Sequence, residues 1–336
     1  MILPTYTLSD FDYNLPEEMI AQKPADPRDH SRLLVYNRRD QSITDDYFYN
    51  IGNYLPADTS LVVNNSKVEK CRLLFEEGKM EIFVTKAVND KVVEAMVRPG
   101  KKFKEGRTVE VADGITAKVL SIASDGIRTL ELNVSLDDER IKPYKKTPFP
   151  PYIEQDEALS DRYQTVFAKD SGSKAAPTAG LHFTPELLES LRELGIDKKE
   201  VTLHVGLGTF APVKAERIED HKMHSEWYQI SEKQAEALNQ TKNITAVGTT
   251  SVRVLESAIN ENGEFEASTG DTDIFITPGY EFKSVDHLIT NFHLPKSTLL
   301  MLVAAFMGFE ETHRLYEHAI KEKYRFYSFG DAMLIL

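Results

Sequence analysis

One cysteine, Cys71, stands alone in 336 residues, so the chain can form no intrachain disulfide and suits a reducing compartment. Basic neighbours would favour its thiolate, but a lone cysteine within Lys70-Cys71-Arg72-Leu73-Leu74 suits a small core residue, and it is given no role. Long apolar runs are lacking. The longest, from Thr298 to Phe309 with only Gly308 interrupting, is too short to span a bilayer and reads as a buried helix. Asp10, Asp12, Glu17 and Glu18 come early with no apolar segment before them, so no signal peptide is expected and a cytoplasmic protein is. Positive charge is scarce. Forty Lys and Arg face 53 Asp and Glu, a net charge of −13, which argues against a dedicated nucleic-acid binder but not against a local basic patch. No internal repeat of 20–50 residues is apparent.

What is present is a foldable chain: 41% hydrophobic and 10% aromatic residues supply a packed core, and the length favours two domains. Asn14, Pro16, Glu17 and Glu18 form a helix-start signal. Leu33–Tyr36 and Leu61–Val63 read as buried strands, and the polar stretch around Asp45 and Asp46 has no assignment. From residue 67 short strand-like runs (80–85, 92–97, 108–111, 115–122, 127–134) alternate with turn pairs such as Asn89-Asp90 and Asp113-Gly114. That texture predicts a small all-β barrel or sandwich, ending at Pro148, Pro150 and Pro151. Beyond it, helices and strands alternate. Thr184-Pro185 opens a helix closing at Gly195, and Ser231 to Gln234 is a capping box. Strands are expected at 200–205, 244–247, 274–276 and 287–290, and helices at 251–260, 297–307 and 310–321. The expected architecture is mixed α/β. A large discontinuous domain with a barrel-like sheet, 1–66 with 151–336, would carry an inserted small β-barrel domain, 67–150, with the ligand between them.

Residues 171–184, Ser-Gly-Ser-Lys-Ala-Ala-Pro-Thr-Ala-Gly-Leu-His-Phe-Thr, read as neither helix nor strand. Small residues there allow close approach of another molecule, with Lys174, Thr178, Gly180 and His182 among them; a plain connector is the alternative. Three histidines share an apolar frame: His182, His204 and His293. Their convergence on one pocket would suit acid–base work, and core histidines are the bland alternative. None of the usual short metal-ligand spacings joins them, and His221 with His224 sits in a solvated context. Gly206, Gly208 and Thr209 follow a predicted strand, but no third glycine appears and Pro212 stands where a helix should begin, so a dinucleotide loop fails while a tight turn or a ligand approach remains. Gly248 to Arg253 joins a strand to a helix, where free amides favour anions. Ser251 belongs to this junction, and Arg253 opposes the helix dipole, as a solvated arginine or as a contact for an anion. Asn291, Lys296, Ser297 and Thr298 gather at a second strand-to-helix junction, and Arg325, Tyr327 and Asp331 lie in an aromatic C-terminal stretch. Two basic clusters, Arg98, Lys101, Lys102, Lys104 and Arg107, then Arg140, Lys142, Lys145 and Lys146, suit either solvated surface or phosphate contact.

These segments together resemble the S-adenosylmethionine:tRNA ribosyltransferase-isomerase family. The resemblance rests on Phe11 to Pro16, Arg28 to Leu34, Arg162 to Thr165, Lys174 to Thr184, Thr202 to Phe210, Gly248 to Arg253, Thr290 to Phe306 and Tyr324 to Leu334, and is weakest over 66–150. It implies transfer and isomerisation of the ribosyl part of S-adenosylmethionine onto 7-aminomethyl-7-deazaguanine at the wobble position of tRNAs with GUN anticodons (those for Tyr, His, Asn and Asp), giving epoxyqueuosine, adenine and methionine. It implies no metal and no cofactor beyond S-adenosylmethionine as ribosyl donor, and a monomer is expected. Under it His182, His204 and His293 become catalytic candidates. Arg253 or Lys174 would hold the methionine carboxylate, and Asp331 with Tyr327 or Phe329 would face the sulfonium. Thr178, Gly180, Gly206, Gly208, Thr209, Ser251, Asn291, Lys296, Ser297, Thr298 and Arg325 would line the substrate site. Arg98, Lys101, Lys102, Lys104, Lys145 and Lys146 would meet RNA phosphates. A non-catalytic RNA-binding protein and a His-ligated metal hydrolase are the rival classes.

Overall fold

A computed structural model describes residues 5–206, 208, 213 and 215–336. The chain divides into two compact units, Met1–Lys67 with Pro150–Leu336, and Val68–Phe149. The fold is mixed α/β with several sheets.

The large unit is built on nine strands, numbered in chain order: β1 (Arg32–Tyr36), β2 (Ile43–Tyr47), β3 (Thr59–Asn64), β4 (Asp197–Leu203), β5 (Glu226–Ile230), β6 (Asn243–Val247), β7 (Ser268–Thr272), β8 (His287–Asn291) and β9 (Ala332–Ile335). Their order across the sheet is β7-β5-β4-β3-β6-β8-β9-β1-β2. The four neighbours β4, β3, β6 and β8 run parallel, whereas β9 lies antiparallel to β8. β3, Thr-Ser-Leu-Val-Val-Asn, is buried throughout, as a central strand covered on both faces must be. β2 stands at one edge with Asp45 and Asp46 within it, a polar pattern suited to an unpaired edge.

Alternation along the strands separates two cores. Leu34, Val62, Leu288 and Met333 join one with helices α2 (Glu232–Asn239), α3 (Thr249–Ala258), α4 (Thr298–Met307) and α5 (Phe309–Lys321). Leu33, Val35, Leu61, Val63, Ile289 and Leu334 join the other with α1 (Pro185–Glu193). A period of two is what a sheet with apolar layers on both faces requires. Side chains start three of the helices: Thr184, Ser231 and Ser297 accept from the amides of Leu187, Gln234 and Leu300. α3 instead begins on Gly248, at φ +87° with no side-chain cap. That conformation is open to glycine and strained for other residues.

The small unit is one antiparallel sheet of seven strands, in the order 145–146, 72–75, 80–87, 92–98, 128–132, 115–122, 108–112. Leu73, Ile82, Val93, Ala117 and Leu130 are buried in it, and Cys71 is buried as well.

Several sequence expectations need correction. Residues 14–18 start no α-helix; only a three-residue 3-10 turn, Glu17–Met19, forms. No strand runs over 274–276, because β7 ends at Thr272. The stretch with Asp45 and Asp46 is a strand. Residues 171–184 are not featureless: Asp170–Ser173 is a short strand and Thr178–His182 a 3-10 turn.

Candidate active site

The carboxyl ends of parallel strands are where an α/β sheet offers a crevice, because the chain leaves them in loops and helix starts. Here β6 runs straight into α3, and β8 leads through 292–297 to α4. A cleft of about 700 Å³, open to solvent, lies at these ends. Its walls come from four of the segments singled out above: Ala176 to Ala179, Val205, Gly248 to Thr250, and Thr290 to Leu294 with Ser297. Leu299, Tyr327, Ser328 and Tyr152 complete it. All of these residues belong to the large unit.

Asn291, at the end of β8, is the best-fixed polar group in the wall. Its Nδ2 donates to the Tyr327 carbonyl at 3.1 Å, which settles which end of the amide is which. The same nitrogen lies 3.2 Å from His182 Nε2. Nε2 must therefore accept, leaving the proton on Nδ1, which reaches Ser31 Oγ at 2.7 Å. Burial lowers the pKa of His182 to about 4, in keeping with a neutral ring. His182 is thus behind the wall, packed on Phe48 at 5.0 Å, and it positions Asn291 without lining the cleft. Asn291 Oδ1 has no hydrogen-bond partner among the described residues.

His293 does line the cleft. Its Nε2 bonds Thr290 Oγ1 at 2.8 Å, its amide donates to the Tyr316 hydroxyl at 2.9 Å, and its carbonyl accepts from the Tyr13 hydroxyl. Burial pulls its pKa down to about 3. At neutral pH it can therefore offer a neutral N–H or a lone pair, but no imidazolium. His204 is elsewhere: its ring stacks on Trp227 at 4.8 Å and fills the space beside Gly172. The expected convergence of three histidines becomes one in the wall, one behind it and one on Trp227.

Four candidate charges are taken up by the protein itself. Arg253, only 3% exposed, pairs with the buried Glu226 and donates to the Thr272 carbonyl at 3.3 Å. It is not on the surface of the cleft. Asp331, 1% exposed, accepts from the amides of Arg32 and Arg325 at 3.0 and 2.8 Å and from the Arg325 guanidinium at 2.8 Å. Arg325 and Asp331 thereby brace the approach to β9. Lys296 is half-exposed and pairs with Asp12 at 2.6 Å.

The small residues have mixed uses. A Cβ on Gly180 would stand 2.7 Å from the Phe167 ring, and one on Gly172 would stand 2.7 Å from His204 Nε2. These glycines make room for the chain's own rings, whereas Ala176 and Ala179 border the cleft. The Gly206 amide donates to Glu226 Oε1 at 2.7 Å, and Gly208 lies against the His224 ring. Ser251 Oγ turns back to the Val247 carbonyl at 2.8 Å. The Lys174 amide donates to the Val205 carbonyl at 2.8 Å. Thr298 is the first residue of α4, and Thr209 falls outside the described residues. Thr178, Asn291, His293, Ser297 and Tyr327 are the expected residues that do line the cleft.

Tyr152, Thr249, Thr250, Phe292, Leu294 and Ser328 line it without having been singled out. Tyr152 packs on Tyr327 with centroids 4.7 Å apart, and its hydroxyl bonds Ser328 Oγ at 2.8 Å. Tyr327 holds φ at +74°, a left-handed conformation that costs a non-glycine residue about 1–2 kcal/mol. Such strain persists only where surrounding contacts fix it; here the Tyr327 amide donates to the Phe292 carbonyl at 3.1 Å, and its own carbonyl takes the Asn291 amide.

Among the described residues no group of three or more His, Cys, Asp or Glu could hold a metal ion, and no helix is long and apolar enough to cross a membrane. In the small unit several basic residues have acidic partners: Arg98 with Glu81 at 2.9 Å, Lys102 with Glu76 at 3.2 Å and Lys145 with Asp137 at 3.7 Å.

Comparison with known proteins bears on what such a cleft does. A sequence profile described as queuosine biosynthesis protein matches residues 8–335. A protein of Desulfitobacterium hafniense named S-adenosylmethionine:tRNA ribosyltransferase-isomerase is 48% identical over 98% of this chain and 99% of its own length. A relative of the same name from Thermotoga maritima is also 48% identical, with the same coverage. A crystal structure of S-adenosylmethionine tRNA ribosyltransferase from Thermotoga maritima matches 98% of this chain and 100% of its own, at 40% identity and a TM-score of 0.57.

Proposed function

The chain belongs to the queuosine biosynthesis family of S-adenosylmethionine:tRNA ribosyltransferase-isomerases, and we propose that its cleft receives S-adenosylmethionine and the modified wobble base of a tRNA with a GUN anticodon. The ribosyl part of the donor moves to the aminomethyl group of 7-aminomethyl-7-deazaguanine and is isomerised, leaving epoxyqueuosine, adenine and methionine. The observation that carries this reading is the meeting of four sequence-distant segments at one cleft on the carboxyl ends of β6 and β8.

The lining suits the chemistry. A sulfonium is a cation whose adjacent 5′ carbon is acidified, and the faces of Tyr152 and Tyr327 can stabilise it. His293, neutral and hydrogen-bonded to Thr290, is the candidate to exchange a proton with the reacting groups or to hydrogen-bond departing adenine. His182 keeps Asn291 oriented. The basic residues Arg98, Lys101, Lys102, Lys104, Lys145 and Lys146 are the candidate phosphate contacts, in keeping with recognition of an RNA loop by its backbone and a splayed base.

The test is incubation with S-adenosylmethionine and an anticodon stem-loop carrying the modified base. Release of adenine and methionine with a matching gain in RNA mass is expected. RNA binding with no adenine released would point to a non-catalytic binder and overturn the assignment.

A further inference from the structure

α3 begins in the wall of the cleft, with Gly248, Thr249 and Thr250 all lining it. The amides of Thr249 and Thr250 make no hydrogen bond among the described residues, and no side chain caps the helix. Both residues are buried, at 5% and 8% exposure. Donors that face a partly enclosed cleft without a protein acceptor favour a ligand that brings one. Thr250 adds a second, independent sign: its Oγ1 is buried and has no hydrogen-bond partner either. Three donors at one point therefore lack an acceptor, and the helix dipole adds partial positive charge there. The Ser251 hydroxyl turns back to donate to the Val247 carbonyl and takes no hydrogen bond from these groups. Arg253, one turn along, is neutralised by Glu226, so no formal cation competes for the incoming group.

We propose that the start of α3, with the Thr250 hydroxyl, is the subsite for the carboxylate of the methionyl end of the donor. This rests on the reading of the cleft as the S-adenosylmethionine site and replaces Arg253 and Lys174 as the carboxylate contact. A carboxylate has the acceptor capacity that two amides and a hydroxyl require, and helix starts commonly hold anions this way.

The experiment compares calorimetric binding of S-adenosylmethionine and its decarboxylated analogue to the full chain and to Thr250→Val, with an anticodon stem-loop that carries plain guanine at the wobble position so that no turnover occurs. The wild-type protein should bind the analogue about ten- to a hundredfold more weakly, the range expected for hydrogen bonds to a charged group. Thr250→Val should weaken S-adenosylmethionine about tenfold and leave the analogue unchanged. Its melting temperature without ligand should hold or rise, since the hydroxyl it removes has no partner. Equal wild-type affinity for both ligands would overturn the subsite while leaving the cleft assignment standing. So would an equal loss of both in Thr250→Val, or a lower melting temperature of the ligand-free variant. Absence of S-adenosylmethionine binding would overturn the cleft assignment and the subsite together.

Discussion

Replacing Arg253 separates a structural arginine from a ligand contact. Arg253 and Glu226 are both buried, at 3% and 5% exposure, and they pair directly. Arg253→Met keeps a long side chain in place but leaves the buried Glu226 carboxylate without its arginine, with the Gly206 amide still donating to it at 2.7 Å. Breaking one side of a buried ion pair costs about 3–5 kcal/mol. For a unit of this size that is a fall in melting temperature on the order of 10 °C. Adding Glu226→Gln removes the stranded charge and keeps an acceptor for Gly206, so the double variant should recover most of the loss. Differential scanning calorimetry gives the stabilities, and titration with S-adenosylmethionine below the transition gives the affinity. The single variant should melt early yet bind the ligand within about threefold of wild type while folded, because nothing of Arg253 borders the cleft. A variant that melts normally but loses tenfold or more in affinity would refute this reasoning and return Arg253 to the ligand.

Stability should fall with acid through the two buried imidazoles. His182 and His293 have folded values of about 4 and about 3 against an ordinary 6.5, so the unfolded chain binds the extra protons. Their contribution is full above pH 6.5 and is lost as pH falls from there toward the folded values, at up to ~1.4 kcal/mol per pH unit for each ring. Urea midpoints measured between pH 7 and 5 should drop accordingly, and His182→Asn should flatten that dependence; an unchanged slope would remove His182 from the argument. Lys101→Glu with Lys104→Glu should weaken binding of the anticodon stem-loop and reduce its salt slope by about 0.7 per lost single-strand phosphate contact, and a fluorescence titration across salt concentrations showing no change would take this cluster out of the RNA interface. S-adenosylhomocysteine, a neutral thioether, should bind about three- to thirtyfold more weakly than S-adenosylmethionine if Tyr152 and Tyr327 face the sulfonium; equal affinity in competition would deny them that role.

Local signals were legible in the sequence, and partners distant in the chain were not. Thr184, Ser231 and Ser297 announce α1, α2 and α4 because a cap bonds an amide only three residues on. The cation expected in the first turn of α3 was a real signal with the wrong partner: the helix starts earlier, at Thr249, which puts Arg253 beyond the first turn, and Glu226 sits on β5, 27 residues away. Asp331 read as a carboxylate among aromatics that would face a sulfonium, but it accepts from Arg325 and from the amide of Arg32, at the other end of the chain. Gly172 and Gly180 looked like room for a ligand and are room for His204 and Phe167. Tyr152 went unnoticed beside Pro150 and Pro151, where the prolines suggested only a linker, although an aromatic at such a junction was the available clue.

These reassignments share a physical logic. Arg253 with Glu226, Arg325 with Asp331 and Lys296 with Asp12 each close a charge within the protein, and the histidine in the wall is held neutral. The polar groups that face the cleft are dipolar: the start of α3, the Asn291 amide, threonine and serine hydroxyls and two tyrosine faces. Fixed dipoles in a partly enclosed site act strongly without reorganising as charge moves. In the proposed reaction the donor enters carrying a sulfonium, and that positive charge is gone once methionine departs as a thioether. Aromatic faces attract the first and hold the second less tightly. A carboxylate such as Asp331 within the cleft would have tightened donor binding, but at the cost of stabilising the ground-state cation whose discharge drives the reaction. Under this proposal, pairing the formal charges within the protein leaves donor recognition to short-range contacts and keeps the ground state from being over-stabilised.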